Sequence, residues 1–378
     1  MPSIVADRRP RRELARARRE LARAGHRAFT CASPVGNERL TPCLTPLTTG
    51  RSVRTPLVTV ILPAKDAGEY IGTTLETLTR QFADPAALKL VAIEDGSRDD
   101  TGSIMQRYAE RFGRAELVRN PRPLGLASAR NQGLAHVEGE AFCFLDGDDW
   151  MQPRRLEVLA SRLGELGCDF LRTDHVTVTA GRRALVRAPH PWREQVTPAR
   201  EAILPENEST MVDYPFAWAG LFHRRIIDRG LAAFPPGLFT AEDRPWIWRL
   251  HLRADSFAVV DAPALLYRRG VTTSLTQVRD RRQLDFAKAM HQVLDTVDTD
   301  PEADRFRAKA VWTALALSSH HLVRSRRMRP ALRAEMRAGI RDVLARLPDA
   351  EVAAVLGRFD GPRRRVLARV LRQAGRAS

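Results

Sequence analysis

Three aspartates follow a hydrophobic run in AFCFLDGDDW, residues 141–150. Asp146 and Asp148 are one residue apart, and Asp149 follows directly. Carboxylates this close are costly unless a cation, a hydrogen-bond network or open water compensates them. Two carboxylates at the mouth of a sheet can hold Mg²⁺ or Mn²⁺, hard ions that take oxygen ligands and can neutralise a departing diphosphate. When such acids occur alone, a turn or a helix cap explains them equally well.

Strand and helix patterns alternate around this acidic segment. The strand patterns are LVTVILP, LKLVAIEDGS, AELVRN and AFCFLDGDDW, with helical patterns between them. This alternation predicts an α/β fold with a mostly parallel, Rossmann-like sheet flanked by helices. Ligands bind such sheets beyond the carboxyl ends of the strands. Polar residues should therefore meet at one edge: Pro63 to Asp66, Glu94 to Gly96, Asn120, and Asp146 to Asp149.

The alternation fades after residue 169. The segment DFLRTDHVTVTAG and the following RRALVRAP predict an antiparallel hairpin around Gly181. Beyond Asp280 the chain is rich in Ala, Leu and Arg, which indicates a helical extension.

The net charge of +16 is carried by the two ends of the chain. Residues 1–55 carry +8, residues 56–280 carry −2 and residues 281–378 carry +10. Recognition of nucleic acid requires a clustered basic face, so we expect no nucleic-acid partner for the centre. The charge of the two ends leaves open one alternative function: a non-catalytic scaffold that binds an anionic membrane or nucleic acid through these basic ends.

The expected location is the cytoplasm. The four cysteines have no metal-ligand or disulfide spacing, and no apolar run approaches the roughly 20 residues that span a bilayer. The basic C-terminal helices add a predicted peripheral contact at the inner face of the membrane.

Four motifs occur in order, each at the end of a predicted strand: ILPAKDAGEYI, IEDGSRDDT, NPRPLGLASARNQGL and FLDGDDW. Their series resembles the family 2 glycosyltransferases of the GT-A fold, from about Val58 to Thr276. The resemblance implies metal-assisted transfer of a sugar, with inversion, from a nucleotide-diphosphate donor, UDP-sugar favoured, to a hydroxyl acceptor on a glycan, a lipid-linked intermediate or a polymer. It also implies a role in the synthesis of cell-envelope or extracellular polysaccharide or glycoconjugates. Motifs for dinucleotide binding, GxGxxG, and for P-loop enzymes are absent from the first strand–helix turn.

The resemblance divides the chain into three regions. Residues 1–55 are predicted to be a poorly ordered basic extension, and residues 56–280 a GT-A domain. Within that domain, 56–150 would bind the nucleotide and 151–280 the acceptor. Residues 281–378 would form a basic helical region.

The resemblance also assigns residues to the donor. The nucleotide contacts it implies are Pro63, Ala64, Asp66, Glu69, Asp95, Asn120, Arg130 and Asp146. Asp146 would approach both the ribose and the metal, and Asp148 would be the principal ligand of Mn²⁺ or Mg²⁺. Asp149 is interpreted as a helix N-cap instead.

The acceptor side is assigned from FTAEDRPWIWRL. An inverting transfer needs a general base that takes the proton of the acceptor hydroxyl. Asp243 is the candidate, with Glu242 as its support or as the alternative base. The simpler interpretation is that both acids stand here because negative charge is favourable at a helix N-terminus. Trp246 and Trp218 are assigned to the acceptor wall, with core packing as the alternative for Trp218. Trp246 and Trp248 cannot both face the same way on a helix, so one of these two is expected in the core.

One departure from the family pattern concerns the segment YRRGVTTSLT. Gly270 stands where family members often have a histidine that helps to hold metal or phosphate. Arg268, Arg269, Thr272 and Ser274 remain as candidate diphosphate contacts. The QxxRW signature of the processive enzymes is also absent, which favours a single or limited addition.

Overall fold

The computed structural model describes residues 57–271 and 280–373, which belong to one compact unit. The predicted N-terminal extension, Thr272 and Ser274 lie outside the described residues.

The described strands form two sheets. They are β1 (Val58–Ala64), β2 (Leu88–Asp95), β3 (Arg114–Asn120), β4 (Ala141–Phe144), β5 (Trp150–Met151), β6 (Phe170–Arg172), β7 (His175–Thr179), β8 (Arg182–Val186), β9 (Thr197–Pro198), β10 (Gly220–His223), β11 (Ser256–Val259) and β12 (Leu265–Arg269). The large sheet has the order β3-β2-β1-β4-β10-β6-β11-β9, and the small sheet has the order β5-β12-β7-β8.

Strands β3, β2, β1 and β4 are parallel neighbours, as the alternation of strand and helix patterns predicts. All seven residues of β1 are buried, because a parallel sheet is covered on both faces. The register pairs Ala64 with Glu94 and Asp95 with Asn120. The polar strand ends therefore lie along one edge, and the predicted α/β fold class is confirmed.

Beyond β4 the large sheet is mixed. Strand β10 runs antiparallel to both β4 and β6, while β11 is parallel to β6. The predicted hairpin is confirmed: β7 and β8 pair antiparallel around Ala180 and Gly181. These two residues have φ values of +47° and +79°, the left-handed backbone that a tight two-residue hairpin turn requires.

Helices cover the large sheet and form the C-terminal part of the chain. The described helices are α1 (Ile71–Leu78), α2 (Thr101–Ala109), α3 (Leu126–Leu134), α4 (Arg155–Leu166), α5 (Arg225–Asp228), α6 (Asp243–Arg253), α7 (Asp285–Asp298), α8 (Ala303–Ser325), α9 (Pro330–Ala345), α10 (Asp349–Leu356) and α11 (Gly361–Gln373). The predicted helical extension is thus confirmed. Helix α7 packs against α6, and α8 against α7, which joins the extension to the sheet domain.

The last helix is amphipathic, and its apolar side faces inward. Leu367, Val370 and Leu371 are buried, with α11 packed against α8 and α9. Its apolar residues are therefore unavailable for insertion into a membrane, and only its arginine face could contact an anionic surface. No helix among the described residues is long and apolar enough to cross a membrane.

Gly220 in β10 provides a test of the central packing. A Cβ atom at this position would overlap the carbonyl oxygen of Leu171 on the neighbouring strand, and backbone cannot move aside. We expect Gly220→Ala to lower the free energy of unfolding by about 2–4 kcal/mol in urea denaturation. Gly164→Ala is the matched control, because Gly164 lies in α4 with open space around it; it should stabilise by up to about 1 kcal/mol. Equal effects of the two substitutions would contradict this packing.

Candidate active site

A cavity of about 720 Å³ opens at the carboxyl ends of β1, β2 and β4. Its lining combines the loop after β1, the Asp146–Asp148 turn, the start of α6 and residues of the C-terminal helices. Of the predicted site residues, those that line it are Pro63, Ala64, Asp66, Asp95, Arg130, Asp146, Asp148, Trp218, Glu242 and Asp243.

The loop after β1 is shaped by acids that accept backbone hydrogen bonds. Asp66, with a φ of +49°, accepts from the Arg98 backbone N–H at 2.8 Å and forms an ion pair with Lys65. Burial alone would raise the pKa of Asp66, but these two contacts outweigh burial and lower it. Glu69 is exposed and does not line the cavity, and its contact with the nucleotide stays a prediction.

Asp95 organises the loop that leads into α3. Its carboxylate accepts hydrogen bonds from the backbone N–H groups of Leu124 at 2.8 Å and Gly125 at 2.9 Å. Asn120 donates to the same carboxylate at 2.9 Å. Asn120 does not line the cavity, so the prediction of a direct nucleotide contact is corrected: it positions Asp95.

Gly147 allows the acidic turn to lie directly on β1. A Cβ atom at Gly147 would come within 2.8 Å of the Ala64 Cβ, and the Gly147 carbonyl accepts from Thr74 Oγ1 at 3.0 Å. Asp149 is fully buried and accepts from the Arg268 backbone N–H at 2.8 Å. Helix α4 begins only at Arg155, so Asp149 is not its N-cap as predicted; it joins the acidic turn to β12.

Arg130 on α3 joins the two acidic motifs. Its guanidinium contacts Asp146 Oδ1 at 2.8 Å and Glu242 Oε1 at 3.2 Å. The side chain is 4% exposed and lies 5.0 Å from the centre of the Phe234 ring. The next residue, Asn131, holds Phe234 by hydrogen bonds to its backbone N–H and C=O at 2.7 and 2.8 Å. The Ala-Arg-Asn run thus supplies both the bridging charge and its aromatic support.

Glu242 and Asp243 lie at the start of α6, on the opposite side of Arg130 from Asp146. Burial and the charge of Asp243 raise the pKa of Glu242 to about 7, although the charge of Arg130 opposes the rise. Burial also raises the pKa of Asp243, against the attraction of Arg244 and Arg130. Both acids line the cavity; Glu242 forms an ion pair with Arg130.

With this geometry established, comparison with known proteins is informative. Residues 59–227 match the sequence model of glycosyl transferase family 2. This domain belongs to glycosyltransferase family 2. The match covers the parallel strands, the acidic turn and the sheet as far as α5.

Relatives and solved structures agree with this family. The chain is 25% identical over 237 residues to the uncharacterized glycosyltransferase EpsJ of Bacillus subtilis (strain 168), covering 61% of this chain and 66% of EpsJ. It is 32% identical over 127 residues to the succinoglycan biosynthesis protein ExoU of Rhizobium meliloti (strain 1021), covering 34% of this chain and 35% of ExoU. The chain thus spans no more than 66% of the length of either relative.

The structure of TarS from S. aureus in complex with UDP shares its fold with this chain. It superposes with a TM-score of 0.66 at 18% identity, covering 84% of this chain and 89% of that chain. The coverage extends well past residue 227, so the shared fold includes much of the region after the family match.

The donor set at the acidic turn fits a divalent cation. Burial and the charge of Asp146 together raise the pKa of Asp148 to about 6, which indicates that too little positive charge compensates these two carboxylates. Among residues 57–271 and 280–373, no group of three or more His, Cys, Asp or Glu side chains could hold a metal. The glycosyltransferase domain would therefore supply one or two carboxylates, and phosphate oxygens and water the rest, as Mg²⁺ sites commonly do.

Aromatic side chains form one wall of the glycosyltransferase cavity. Trp218 lines it and stacks on Phe216, with ring centres 4.8 Å apart; the Tyr267 ring lies 5.0 Å from Trp218 and 6.0 Å from Phe216. Trp246 is fully buried, stacks on Phe234 and donates its indole N–H to the Ala232 carbonyl at 3.1 Å. Trp246 is a core residue, so its assignment to the acceptor is corrected.

The segment after β12 contributes differently from the family pattern. Arg268 donates to the Asp148 backbone carbonyl at 3.0 Å and lies between the rings of Tyr70 and Trp150, at 4.7 and 4.5 Å. Arg268 therefore supports the backbone of the acidic turn. Gly270 has a φ of +88° and open space around its Cβ position. A histidine side chain would fit that space, but the left-handed backbone would be strained.

The sequence motifs missed the residues that the C-terminal helices bring to the cavity. These are Gln283, Phe286, Ala316, Leu317, His320, His321, Arg324 and Arg363, together with Arg282 just before α7. The Ala, Leu and Arg pattern predicts helices in this region, but nothing in it indicates which helix face meets the sheet domain.

Arg130→Met should be the most destabilising change in the glycosyltransferase site, because it leaves two carboxylates without their shared cation. We expect a loss of about 3 kcal/mol at pH 8 in urea denaturation. The loss should be smaller at pH 5, because the pKa of Glu242, already about 7, would rise further and the group would be protonated in the folded variant.

Arg305→Met is the matched control for this measurement. Arg305 forms exposed ion pairs with Glu201 and Glu302, so its removal should cost less than about 1 kcal/mol at either pH. A loss from Arg130→Met that did not exceed the loss from Arg305→Met would contradict the bridging role.

Proposed function

We propose that this protein transfers a sugar from a nucleotide-diphosphate donor to a hydroxyl acceptor, with inversion at the sugar carbon. The observation that carries the proposal is the Asp146–Arg130–Glu242 chain of ion pairs. It holds the acidic turn that suits a metal and a diphosphate in the same cavity as the acid pair that suits a general base. The acidic turn and the acid pair thus line one cavity.

Relatives support the donor class and the biological role. TarS has been solved in complex with UDP and with UDP-GlcNAc, which favours a UDP-sugar donor for the present chain. ExoU is named for succinoglycan biosynthesis and TuaG of Bacillus subtilis (strain 168) for putative teichuronic acid biosynthesis. We therefore propose a role in the synthesis of cell-envelope or extracellular polysaccharide or glycoconjugates.

The donor end of the cavity would bind the nucleotide and the cation. Pro63, Ala64 and Asp95 line this end and would border the base. Asp148 would be the principal ligand of Mn²⁺ or Mg²⁺, with Asp146 as a second ligand held in place by Arg130. When bound, the cation would neutralise charge on the departing diphosphate.

The base of the reaction would be Asp243. It lines the cavity, and its raised pKa suits proton uptake from an acceptor hydroxyl near neutral pH. Glu242 is tied to Arg130 by an ion pair, so it would support Asp243 as the neighbouring carboxylate of the pair. Trp218 would present an aromatic face to the acceptor.

The alternative of a non-catalytic scaffold is not favoured. The acidic turn and the acid pair line one formed cavity, and the apolar side of α11 is already packed. A scaffold would need neither carboxylate pair.

Calorimetric titration of UDP, GDP, CDP and dTDP, with and without Mn²⁺, tests the donor site. We expect one nucleotide to bind in a Mn²⁺-dependent way, and Asp148→Ala to weaken that binding at least about 10-fold through loss of the metal contact. Asp342→Ala, an exposed aspartate of α9, is the control and should leave the affinity unchanged. If no nucleotide bound with Mn²⁺ present, the transferase proposal would fail.

The pH dependence of UDP release tests the assignment of the base. We expect kcat/KM to fall as pH drops below about 7, since the acid pair must release a proton before it can accept one. Asp243→Asn should lower kcat by about 100-fold or more. Glu242→Gln should retain activity and move the acidic limb to lower pH, because it removes the charge that raises the pKa of its neighbour.

If the fall of kcat/KM at acidic pH occurs at the same pH in Glu242→Gln as in the wild type, a group outside the acid pair controls this pH dependence. Full activity in Asp243→Asn would exclude Asp243 as the base.

A further inference from the structure

The loop that leads into the acid pair is fixed at both of its ends by α3. We call residues 235–242 the acid-pair loop. Asn131 holds Phe234, which directly precedes the loop, by the two backbone hydrogen bonds of 2.7 and 2.8 Å. Arg130 Nη1 contacts the carboxylate of Glu242, the last residue of the loop, at 3.2 Å. These contacts leave the middle of the loop to be positioned by other elements.

The middle of the acid-pair loop is bound to the start of the C-terminal helices. The backbone N–H of Phe239 donates to Asp285 Oδ2 at 2.7 Å, and the hydroxyl of Thr240 donates to the Arg282 carbonyl oxygen at 2.6 Å. Asp285 is the first residue of α7, and Arg282 lies in the short helical turn that precedes it. Two successive residues of the loop are thus held by one segment of the C-terminal region.

Both side chains that make these hydrogen bonds are shielded from water. Asp285 is 7% exposed and Thr240 is 8% exposed. A hydrogen bond that a carboxylate accepts from a backbone N–H is stronger than one between neutral groups. Removing the carboxylate would leave the N–H without its partner, which costs more than the bond itself contributes.

The backbone turns sharply directly after these hydrogen bonds. Ala241 has a φ of +61°, in the left-handed region that residues with a Cβ rarely adopt. Such a conformation persists only where the surrounding contacts hold it in place. The two hydrogen bonds lie on one side of Ala241, and the ion pair of Glu242 lies on the other. The turn directly precedes the acid pair and the start of α6, so it determines where Asp243 lies in the cavity.

We propose that Asp285 is a positioning residue for the transfer: with Thr240, it fixes the acid-pair loop so that Asp243 can take the proton of the acceptor hydroxyl. This inference rests on the proposed function, in which Asp243 is the base. Asp285 does not line the cavity, so it would act through the loop and not on the substrate. The C-terminal helices would thereby take part in the reaction, beyond lining the cavity.

Hydrogen–deuterium exchange of the full-length protein tests the contact without any substrate. In Asp285→Ala the backbone amides of residues 238–240 should exchange about 10-fold or more faster than in the wild type, because the Phe239 N–H loses its partner. Asp285→Asn keeps a side-chain oxygen at this place and should exchange at close to the wild-type rate.

Asp300→Ala is the matched control. Asp300 is 5% exposed, accepts the backbone N–H of Glu302 at 2.9 Å in the same helical region, and does not line the cavity. Its removal takes away a buried carboxylate of the same kind without touching the acid-pair loop. Exchange in that loop should therefore stay at the wild-type rate.

Release of UDP from UDP-GlcNAc, with water as the acceptor, measures the effect on the reaction. In this hydrolysis a water attacks the sugar carbon, the bond to the UDP oxygen breaks, and Asp243 takes the proton. Asp285→Ala should lower kcat about 10-fold or more, since a small displacement of a catalytic group is costly in the transition state. The KM for UDP-GlcNAc and the affinity for UDP with Mn²⁺ should stay unchanged, because the acidic turn and Asp95 lie outside the loop.

A second pair of variants tests the neighbouring hydrogen bond. Thr240→Val keeps the shape of the side chain and removes the hydroxyl, so it should lower kcat in the same direction as Asp285→Ala. Thr240→Ser keeps the hydroxyl and should retain activity, as should Asp285→Asn, which keeps an acceptor for the Phe239 N–H.

The inference is overturned if Asp285→Ala and Asp300→Ala have the same kcat, or if exchange in the acid-pair loop is unchanged in Asp285→Ala. An Asp285→Asn variant as slow as Asp285→Ala would contradict it as well. Failure of the wild type to bind any nucleotide with Mn²⁺ would instead refute the proposed function itself, so the two failures are distinguishable.

Discussion

The site depends on one buried cation placed between two acidic motifs. Arg130 contacts Asp146 on one side and Glu242 on the other, although these residues are 96 positions apart in the chain. Taking a guanidinium out of water is costly unless it is paired, and each carboxylate here supplies part of that compensation. The position of α3 against the sheet therefore determines where both motifs lie. Phe234, held by Asn131, closes the remaining side of the guanidinium.

The parallel strands position the residues that surround the Arg130 guanidinium. The register of β1, β2 and β3 places Ala64, Asp95 and Asn120 along one edge, with the acidic turn after β4 beside them. Asp95 and Asn120 then shape the loop into α3, which carries Arg130. The hydrogen bonds of these polar residues fix the positions of the loops, a role separate from any contact with a ligand. Glycine at position 147 lets the acidic turn approach β1 closely.

The C-terminal helices complete the cavity. Helices α7, α8 and α11 bring side chains to the end of the cavity near α6, where the base is proposed. The cavity thus combines residues of the sheet domain with residues of the C-terminal helices.

Several site residues could be predicted because their local sequence required a particular position. Strand patterns that end in acids or proline placed the turn at Asp146 and Asp148 correctly, since the carboxyl ends of parallel strands share an edge. Asn120, Asp149 and Trp246 were assigned to the wrong roles. Each is near the site in sequence, but whether its side chain faces the cavity, the core or solvent depends on packing against distant elements.

The sequence by itself determined the α/β class, the order of the parallel strands' motifs and the family, because these follow from local periodicity and from residues at strand ends. It also determined that the last hundred residues are helical. Only the tertiary structure decided that Arg130 joins Asp146 to Glu242, that Trp246 lies in the core, and that Arg244, Arg324 and Arg363 line the same cavity as the acid pair. The reason is that such contacts join segments far apart in the chain, and their geometry is set by how helices pack on the sheet. Local periodicity carries no information about that packing.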